Sequence, residues 1–249
     1  MNILNSNSYI VVIPARYHSK RLPGKPLKNI QGKPMIVRTY NQCRKVVPKK
    51  NIIIATDSKK ILNVCKKNNI QSILTSSNCL TGTDRVYEVS KIIKKKIYIN
   101  LQGDEPLFSP KDIKKFLKIA LKDKSKIYNG YCKINNKEDF FNKSIPKVVF
   151  NNRKELLYMS RSPIPGNKMG ILKKAFRQIC IYSFPFFFLQ KFGKAKKKSF
   201  LENFEDIEIL RFLETGNIVK MVPLSSSSIS VDTQKDLKKV NLILKKKKL

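Results

Sequence analysis

The first half of the chain alternates short apolar segments with helix-forming segments, and this alternation constrains the fold more than any other feature. The apolar runs are Tyr9–Pro14, Asn51–Ala55, Ile70–Leu74 and Lys96–Leu101. The helical periodicity lies at 35–46, from about 58 to 67, at 86–95 and at 110–121. Repeated strand–helix units predict a parallel sheet covered by helices. We therefore expect an α/β fold with a mainly parallel, doubly wound sheet.

Polar loops follow the first, third and fourth of these predicted strands. They contain Arg16–Lys25, Thr81–Asp84 and Gln102–Pro106. Ligands of such sheets bind beyond the carboxyl ends of the strands. The three loops are therefore expected to meet at one site.

The second half of the chain has a mixed pattern. Strands are predicted at 147–150, 156–158, 178–183 and 218–222, and helices at 207–215 and from Asp232 onward. The apolar run Phe184–Phe192 is typical of a core or of a subunit interface. Because no internal repeat or Gly/Ser-rich linker occurs, we expect one domain over residues 1–249. Residues from about 128 to 200 should form an inserted, mixed α/β subdomain.

The loop after the first strand is strongly basic. Arg16, Lys20, Arg21 and Lys25 surround Gly24. Cations and free backbone N–H groups at the end of a strand can bind a polyphosphate, and an arginine forks phosphate oxygens. Neither GxxxxGK[ST] nor GxGxxG is present. The alternative is an exposed basic loop in a lysine-rich chain.

Carboxylates also follow two predicted strands. Asp104 and Glu105 follow the fourth strand, and Asp232 follows Ser230-Val231. Two carboxylates from separate strand ends suit Mg²⁺, which takes few protein ligands. The alternative is that these acids cap the helices that come after them. His18 is the only histidine, so catalysis is expected to depend on positioned cations and a metal rather than on histidine. Such chemistry is typical of phosphoryl or nucleotidyl transfer.

Two further groups suggest recognition of a polar substrate. Arg161 is suited to fork a carboxylate. The acidic stretch Glu202, Glu205, Asp206 and Glu208 either faces sugar hydroxyls or pairs with surface lysines.

The net charge of +35, from 52 basic and 17 acidic residues, would ordinarily suggest nucleic acid. Only nine of the basic residues are arginine, and lysine is spread along the chain, which favours a solvated surface over a specific nucleic-acid reader.

No apolar run approaches the ~20 residues that span a bilayer. Residues 1–8 do not resemble a signal peptide. Five scattered cysteines without CxxC spacing predict reduced thiols and a cytoplasmic protein.

With these features placed, the chain resembles the CMP-Kdo synthetase family, the 3-deoxy-manno-octulosonate cytidylyltransferases. The resemblance runs in order from about residue 9 to 243. It is carried by IPARYHSKRLPGKPL, IATDS (54–58), TGTDR (81–85), NLQGDEP (100–106), LYMSRSPIP (157–165), LENFEDIEILR (201–211) and VDTQKDL (231–237).

The resemblance implies a nucleotidyltransferase fold and one reaction for lipopolysaccharide biosynthesis. CTP and 3-deoxy-D-manno-octulosonate (Kdo) give CMP-Kdo and pyrophosphate with Mg²⁺. It also implies a homodimer formed through the second half, with Phe184–Phe192 in the contact, and no membrane insertion or specific nucleic acid. The implied catalytic residues are Arg16, Arg21, Lys25 and Asp104. The implied cytidine and phosphate contacts are Ala15, Arg16, Lys25, Thr81, Gly82, Thr83 and Arg85. The implied Kdo contacts are Gln102, Arg161, Gln178, Tyr182 and Glu208, and the implied metal ligands are Asp104 and Asp232.

The sequence departs from the family on the sugar side. Gln178 stands where the family often has histidine, and Ile209 stands where it often has glutamine. The span between Pro165 and Gln178 is short. Another 3-deoxy-ulosonic acid, such as 8-amino-Kdo or a sialic-type acid, is therefore an alternative acceptor. Nucleic-acid binding is a remote alternative function.

Overall fold

The computed structural model describes residue 4 and residues 7–19, 21–225 and 228–246. In this part of the chain the strands are β1 (Tyr9–Ala15), β2 (Asn29–Ile30), β3 (Lys33–Pro34), β4 (Ile52–Thr56), β5 (Ser72–Leu74), β6 (Ile97–Leu101), β7 (Ile127–Lys133), β8 (Lys147–Phe150), β9 (Leu156–Ser160), β10 (Phe176–Pro185) and β11 (Val219–Pro223). The α-helices are α1 (Met35–Arg44), α2 (Lys59–Lys67), α3 (Gly82–Ile92), α4 (Pro110–Lys122), α5 (Lys137–Phe141), α6 (Phe186–Lys194), α7 (Phe200–Glu205), α8 (Leu210–Glu214) and α9 (Gln234–Lys246).

The main sheet has the order β11-β7-β10-β6-β1-β4-β5. Strands β5, β4, β1 and β6 are parallel to one another, as expected from the strand–helix repeats. Strand β10 runs antiparallel to both β6 and β7 and also pairs with β8. The hairpin β8–β9 therefore extends the sheet from β10. The expectation of a mainly parallel α/β sheet is confirmed.

Both faces of the central strands are buried, which explains why β1, β4 and β6 are continuously apolar rather than alternating. Val11 and Ile13 of β1 face one core, which includes residues of α1, α2 and α4. Ile10 and Val12 face the other core, which includes residues of α3, α6 and α8. Helices on both faces hold the strands rigidly, so the loops at the carboxyl ends are fixed relative to one another.

Strand β7 is not among the strands that the sequence predicts. It contains Asn129-Gly130, which has a low strand propensity. Tertiary pairing outweighs that propensity, because Asn129 Nδ2 donates to the carbonyls of Ile179 and Ile181 where β10 shifts register. Helices α5, α6 and α7 likewise have no counterpart among the predicted helices.

Helix α3 begins four residues earlier than predicted. The hydroxyl of Thr81 accepts a hydrogen bond from the N–H of Asp84, and the Asp84 carboxylate accepts from the N–H of Thr81. This capping box makes Gly82–Asp84, predicted as part of a loop, the start of the helix.

The apolar run Phe184–Phe192 ends β10 and forms α6. Phe184, Leu189 and Phe192 are buried in the core, whereas Phe187 is exposed. Most of the run therefore packs inside the protein. The subdomain predicted over about 128–200 stays a prediction, and β7 and β10 from that range are strands of the main sheet. In the part of the chain that the structure describes, no helix has the length and apolar character needed to cross a membrane.

Candidate active site

A cavity of about 350 Å³ opens at the carboxyl ends of β1 and β6. The structure brings the three predicted loops together around it, with a fourth segment at Ser230 and Asp232. The predicted site residues that line it are Ala15, Arg16, Arg21, Lys25, Thr81, Gly82, Arg85, Gln102, Asp104, Arg161, Gln178, Tyr182, Glu208 and Asp232. Thr83 is buried behind them in α3. Lys20 lies outside the described residues, and His18 is exposed beside Tyr17.

The basic loop and the two carboxylate segments converge on Lys25. Its Nζ lies 2.6 Å from Oδ2 of Asp104 and 3.0 Å from Oδ1 of Asp232. The same oxygen of Asp232 is 3.0 Å from Nη2 of Arg21. Burial by itself would lower the pKa of Lys25, but the two carboxylates outweigh burial and raise this pKa above its ordinary value. Lys25 is therefore a fixed positive charge in the cavity.

The segments that carry the two carboxylates are held together by the backbone. The N–H of Val231 donates to the carbonyl of Asp104 at 2.9 Å. Gly103 lies against β1, where a Cβ would come within 2.7 Å of the carbonyl oxygen of Pro14. A residue with a side chain cannot take this position without moving the backbone, so glycine is required here.

Asp104 and Asp232 offer the donor set that a divalent cation needs. Carboxylate oxygens are the ligands that Mg²⁺ prefers, and this ion usually keeps several waters and takes phosphate oxygens as well. Oδ2 of Asp104 and Oδ1 of Asp232 both contact Nζ of Lys25, so they lie within reach of one ion. The described residues contain no cluster of three or more His, Cys, Asp or Glu suited to a metal.

Glu105, next to Asp104, points away from solvent and accepts a hydrogen bond from the hydroxyl of Ser228. Burial raises the pKa of Glu105 to about 7, while Ser228 and Arg177 oppose this shift. The side chain of Glu105 thus serves to join the Asp104 loop to the segment before Asp232.

Asp57, at the end of β4, orients the start of the basic loop. Its Oδ1 accepts the N–H of Tyr17 at 3.0 Å, and its Oδ2 is 3.1 Å from Nη2 of Arg85. Arg85 also donates to the hydroxyl of Thr75 and to the carbonyl of Ser76. Asp57 and Arg85 therefore connect the loops at the ends of β1, β4 and β5.

Glu208 organises the opposite wall of the cavity. Its carboxylate accepts the N–H of Thr83 at 2.9 Å, Nδ2 of Asn100 at 3.3 Å and Nε2 of Gln102 at 3.0 Å. Burial raises the pKa of Glu208, while the hydrogen bond from Thr83 opposes the shift. Gly82 allows Gln102 to approach, because a Cβ at Gly82 would lie 2.6 Å from Nε2 of Gln102.

Arg161 comes directly after β9 and contacts three backbone carbonyls. Nε donates to Glu205 O at 2.6 Å, Nη1 to Lys143 O at 3.1 Å and Nη2 to Asp206 O at 3.0 Å. Its own N–H donates to the carboxylate of Glu205 at 2.8 Å. A guanidinium has five N–H donors, so Arg161 can keep these contacts and still bind a ligand anion.

Gln178 and Tyr182 both come from β10. Nε2 of Gln178 donates to Oδ1 of Asn129 at 3.1 Å, which turns part of its amide away from the cavity. The ring of Tyr182 stacks on Phe184, and burial raises the pKa of its phenol well above the ordinary value. Tyr182 is therefore a neutral hydrogen-bonding group.

Sequence reasoning placed Asp57 only in a helix cap and assigned Asp57 and Lys147 no role in the site. It left Glu205 between a sugar contact and a surface partner. Asp57 is an acidic residue that follows a buried strand, and the same pattern made Asp104 a candidate site residue. Glu205 accepts hydrogen bonds from the hydroxyl of Ser160 and the backbone of Arg161. No local sequence signal marks Lys147 as buried or as a partner of Arg161.

The chain is similar over nearly its whole length to known proteins of one enzyme family. Residues 10–226 match the family described as cytidylyltransferase. The 3-deoxy-manno-octulosonate cytidylyltransferase of Escherichia coli is 34% identical over 235 residues, which cover 94% of this chain and 95% of that protein. The enzyme of the same name from Chloroherpeton thalassium is 38% identical and covers 96% of this chain and 98% of its own length.

One solved structure has a fold similar to that of this chain. The structure of CMP:2-keto-3-deoxy-manno-octonic acid synthetase complexed with CTP superimposes with a TM-score of 0.88 at 33% identity. The match covers 97% of this chain and 100% of that one.

Proposed function

The chain belongs to the cytidylyltransferase family, and we propose that it transfers CMP from CTP to the C2 hydroxyl of 3-deoxy-D-manno-octulosonate. The products are CMP-Kdo, a precursor for lipopolysaccharide, and pyrophosphate. One observation supports this most directly. Lys25, Arg21 and two carboxylates meet in the cavity of a chain that aligns over nearly its whole length with enzymes of that name.

Arg16, Arg21 and Lys25 are proposed to bind the triphosphate. Arg16 is exposed at the cavity, and Arg21 and Lys25 face it from the other side of the same loop. The acceptor oxygen attacks the α-phosphorus, the bond from that phosphorus to the bridging oxygen breaks, and pyrophosphate leaves with the electron pair. The hydroxyl proton passes to solvent. Fixed cations lower the barrier because they stabilise the charge that accumulates on the leaving group.

Ala15, Thr81, Gly82, Thr83 and Arg85 are proposed to form the nucleoside side of the site. Ala15 ends β1, and the other four belong to the cap and first turn of α3. Arg85 is engaged with Asp57 and Thr75, so its contribution is to hold this wall in place.

Asp104 and Asp232 are proposed to hold Mg²⁺. The ion, when bound, supplies charge neutralisation and polarises the acceptor hydroxyl. Lys25, which contacts both carboxylates in the structure, is proposed to contact the phosphates of CTP when the nucleotide is bound.

The acceptor is proposed to lie against Gln102, Arg161, Gln178, Tyr182 and Glu208. Arg161 suits the carboxylate of an ulosonic acid, and the amides, phenol and carboxylate suit hydroxyl groups. Because Gln178 replaces a histidine and is turned toward Asn129, an 8-amino-Kdo or a sialic-type acid is the alternative acceptor.

The test is pyrophosphate release by the purified protein with CTP and Mg²⁺, in the presence and absence of Kdo. We expect release only when all three are present. Release with 8-amino-Kdo or a nine-carbon sialic acid, but not with Kdo, would keep the reaction and change the acceptor. The absence of release with every acceptor from a folded protein would contradict cytidylyl transfer.

A homodimer is also proposed. Phe200 and Phe204 of α7 stack on each other and are 76% and 78% exposed. Exposed aromatic pairs of this kind are typical of subunit contacts. Light scattering after gel filtration should give a dimer for the wild type and a monomer for Phe204→Glu, and a monomeric wild type would contradict the proposal.

The location proposed is the cytoplasm, because the substrate CTP is a cytoplasmic nucleotide. No specific nucleic-acid partner is proposed. Binding of nucleic acid that is independent of sequence and lost at moderate salt is the expected result for the lysine-rich surface.

A further inference from the structure

Lys147 is a lysine with no exposed side-chain surface, at the start of β8. Its Nζ donates to the carbonyls of Asn142 at 3.0 Å, Ile145 at 2.7 Å and Arg161 at 2.6 Å. An ammonium group has three N–H donors. All three of them are therefore used on backbone carbonyls.

The three carbonyls belong to two separate walls of the cavity. Asn142 and Ile145 belong to the segment that leads into β8, and Ile145 lines the cavity. Arg161, at the end of β9, lines the cavity as well. One buried cation thus joins two segments that both face the acceptor side of the site.

The peptide units on either side of the Arg161 Cα are fixed. The N–H of Arg161 donates to the carboxylate of Glu205, and the carbonyl of Arg161 accepts from Lys147. The guanidinium of Arg161 in turn donates to Lys143 O, Glu205 O and Asp206 O. Lys147 and Arg161 therefore connect the segment at 142–145, the end of β9 and the end of α7.

A buried charge is unfavourable unless it is well paired. Burial and, to a smaller extent, the nearby positive charge of Arg161 lower the pKa of Lys147 to about 8, while Glu205 opposes this shift. An apolar side chain of similar length would fill the same space without desolvating a charge, and such replacements are often neutral or stabilising. The ammonium therefore stabilises something other than the core, namely the position of the carbonyls around it.

We propose that Lys147 is a positioning residue for the acceptor: its ammonium fixes Arg161 and the wall at 142–146 in the arrangement that binds the carboxylate of the ulosonic acid. This inference rests on the proposed cytidylyl transfer and adds a residue to the acceptor half of that site. Lys147 itself does not line the cavity. Its effect on binding passes through Arg161 and through the preorganisation of the two walls.

The test compares Lys147→Met, which keeps the length and removes the charge, with the wild type. Lys133→Met is the matched control, because Lys133 ends β7 and is exposed. We expect the KM for Kdo to rise about 10-fold or more in Lys147→Met, as for the loss of a charged hydrogen bond. The KM for CTP should stay within about 2-fold of the wild type, and Lys133→Met should match the wild type in both.

The outcomes separate this inference from the proposed function. Wild-type protein that makes no CMP-Kdo contradicts the function, whatever Lys147 does. Active wild type with equal changes in the KM for Kdo and for CTP in Lys147→Met, or with none, overturns the positioning role. Should Lys147→Met not fold, Lys147→Gln takes its place because it keeps two N–H donors. Failure of both to fold, with folding restored by Lys147→Arg, would make Lys147 a determinant of the fold alone and overturn the inference.

Discussion

Nζ of Lys25 lies 2.6 Å from Oδ2 of Asp104, although 79 positions separate the two residues in the chain. The same nitrogen contacts Asp232, which comes from a third segment. A cation held by two carboxylates is a strong, charge-assisted arrangement. It holds both carboxylates facing the same point of the cavity.

Asp104→Asn should lower CMP transfer by about 100-fold or more, because an amide is a poor ligand for Mg²⁺ and a weak partner for Lys25. Steady-state kinetics and circular dichroism measure the activity and the fold. Asp123→Asn is the control, since it makes the same change at an exposed pair with Lys126. Near-normal turnover of Asp104→Asn would contradict the assignment of Asp104 as a metal ligand.

Asp57→Asn should weaken both the fold and the binding of CTP. The carboxylate of Asp57 pairs with Arg85, whose side chain is 3% exposed, and removing one partner of a buried pair costs about 3 kcal/mol or more. The side-chain amide nitrogen of the new Asn is itself a donor. It would face another donor, either the N–H of Tyr17 or the guanidinium of Arg85. We expect a lower free energy of unfolding in urea and a KM for CTP raised about 10-fold. An unchanged KM for CTP would contradict the role of Asp57 in the basic loop.

The raised pKa of Glu105 should make the stability of the protein depend on pH. Because the pKa of Glu105 is raised from 4.5 to about 7 on folding, the folded state holds this proton more tightly than the unfolded state does. The contribution of Glu105 to the stability of the wild type therefore falls as pH rises from about 4.5 to 7 and is level above that range. The loss corresponds to about 3 kcal/mol.

Glu105→Gln removes this ionisation. In EDTA, its Tm should exceed that of the wild type by about 5 °C or more at pH 8, and the difference should nearly vanish at pH 5. Thermal unfolding at both pH values measures this. A variant with a Tm below that of the wild type at pH 8 would show that Glu105 is stabilising as a carboxylate.

Two glycine substitutions should separate activity from stability. A Cβ at Gly82 would displace the flexible amide of Gln102, whereas a Cβ at Gly193 would lie 2.0 Å from the ring of Tyr87. Gly82→Ala should therefore raise the KM for the acceptor about 10-fold with little change in Tm, because Gln102 loses its contact with Glu208. Gly193→Ala should cost about 2 kcal/mol of stability, with kinetic constants near those of the wild type. The reverse pattern would contradict this assignment of the two sites.

Local sequence patterns were sufficient to predict the α/β class, the parallel half of the sheet and the three loops at its edge. The apolar runs of β1, β4 and β6 must be buried on both faces, and strand–helix repeats must run parallel. The sequence motifs were also sufficient to identify the family. The region after β6 was harder to predict, because β7 contains Asn129-Gly130 and is stabilised by pairing with the irregular strand β10 and with β11.

The meeting of the site residues, in contrast, is a property of the tertiary structure. Local patterns fix the ends of strands but not the partners of a side chain from another segment, which depend on strand order and on the reversed direction of β10. The sequence therefore indicated Lys25, Asp104 and Asp232 as separate candidates, and folding joined them. Neither Asp57 with Arg85 nor Lys147 with Arg161 gave a local signal of partnership. Folding removes these charged groups from water, so they need well-placed polar partners, and the tertiary structure brings Asp57 to Arg85 and Lys147 to the carbonyl of Arg161.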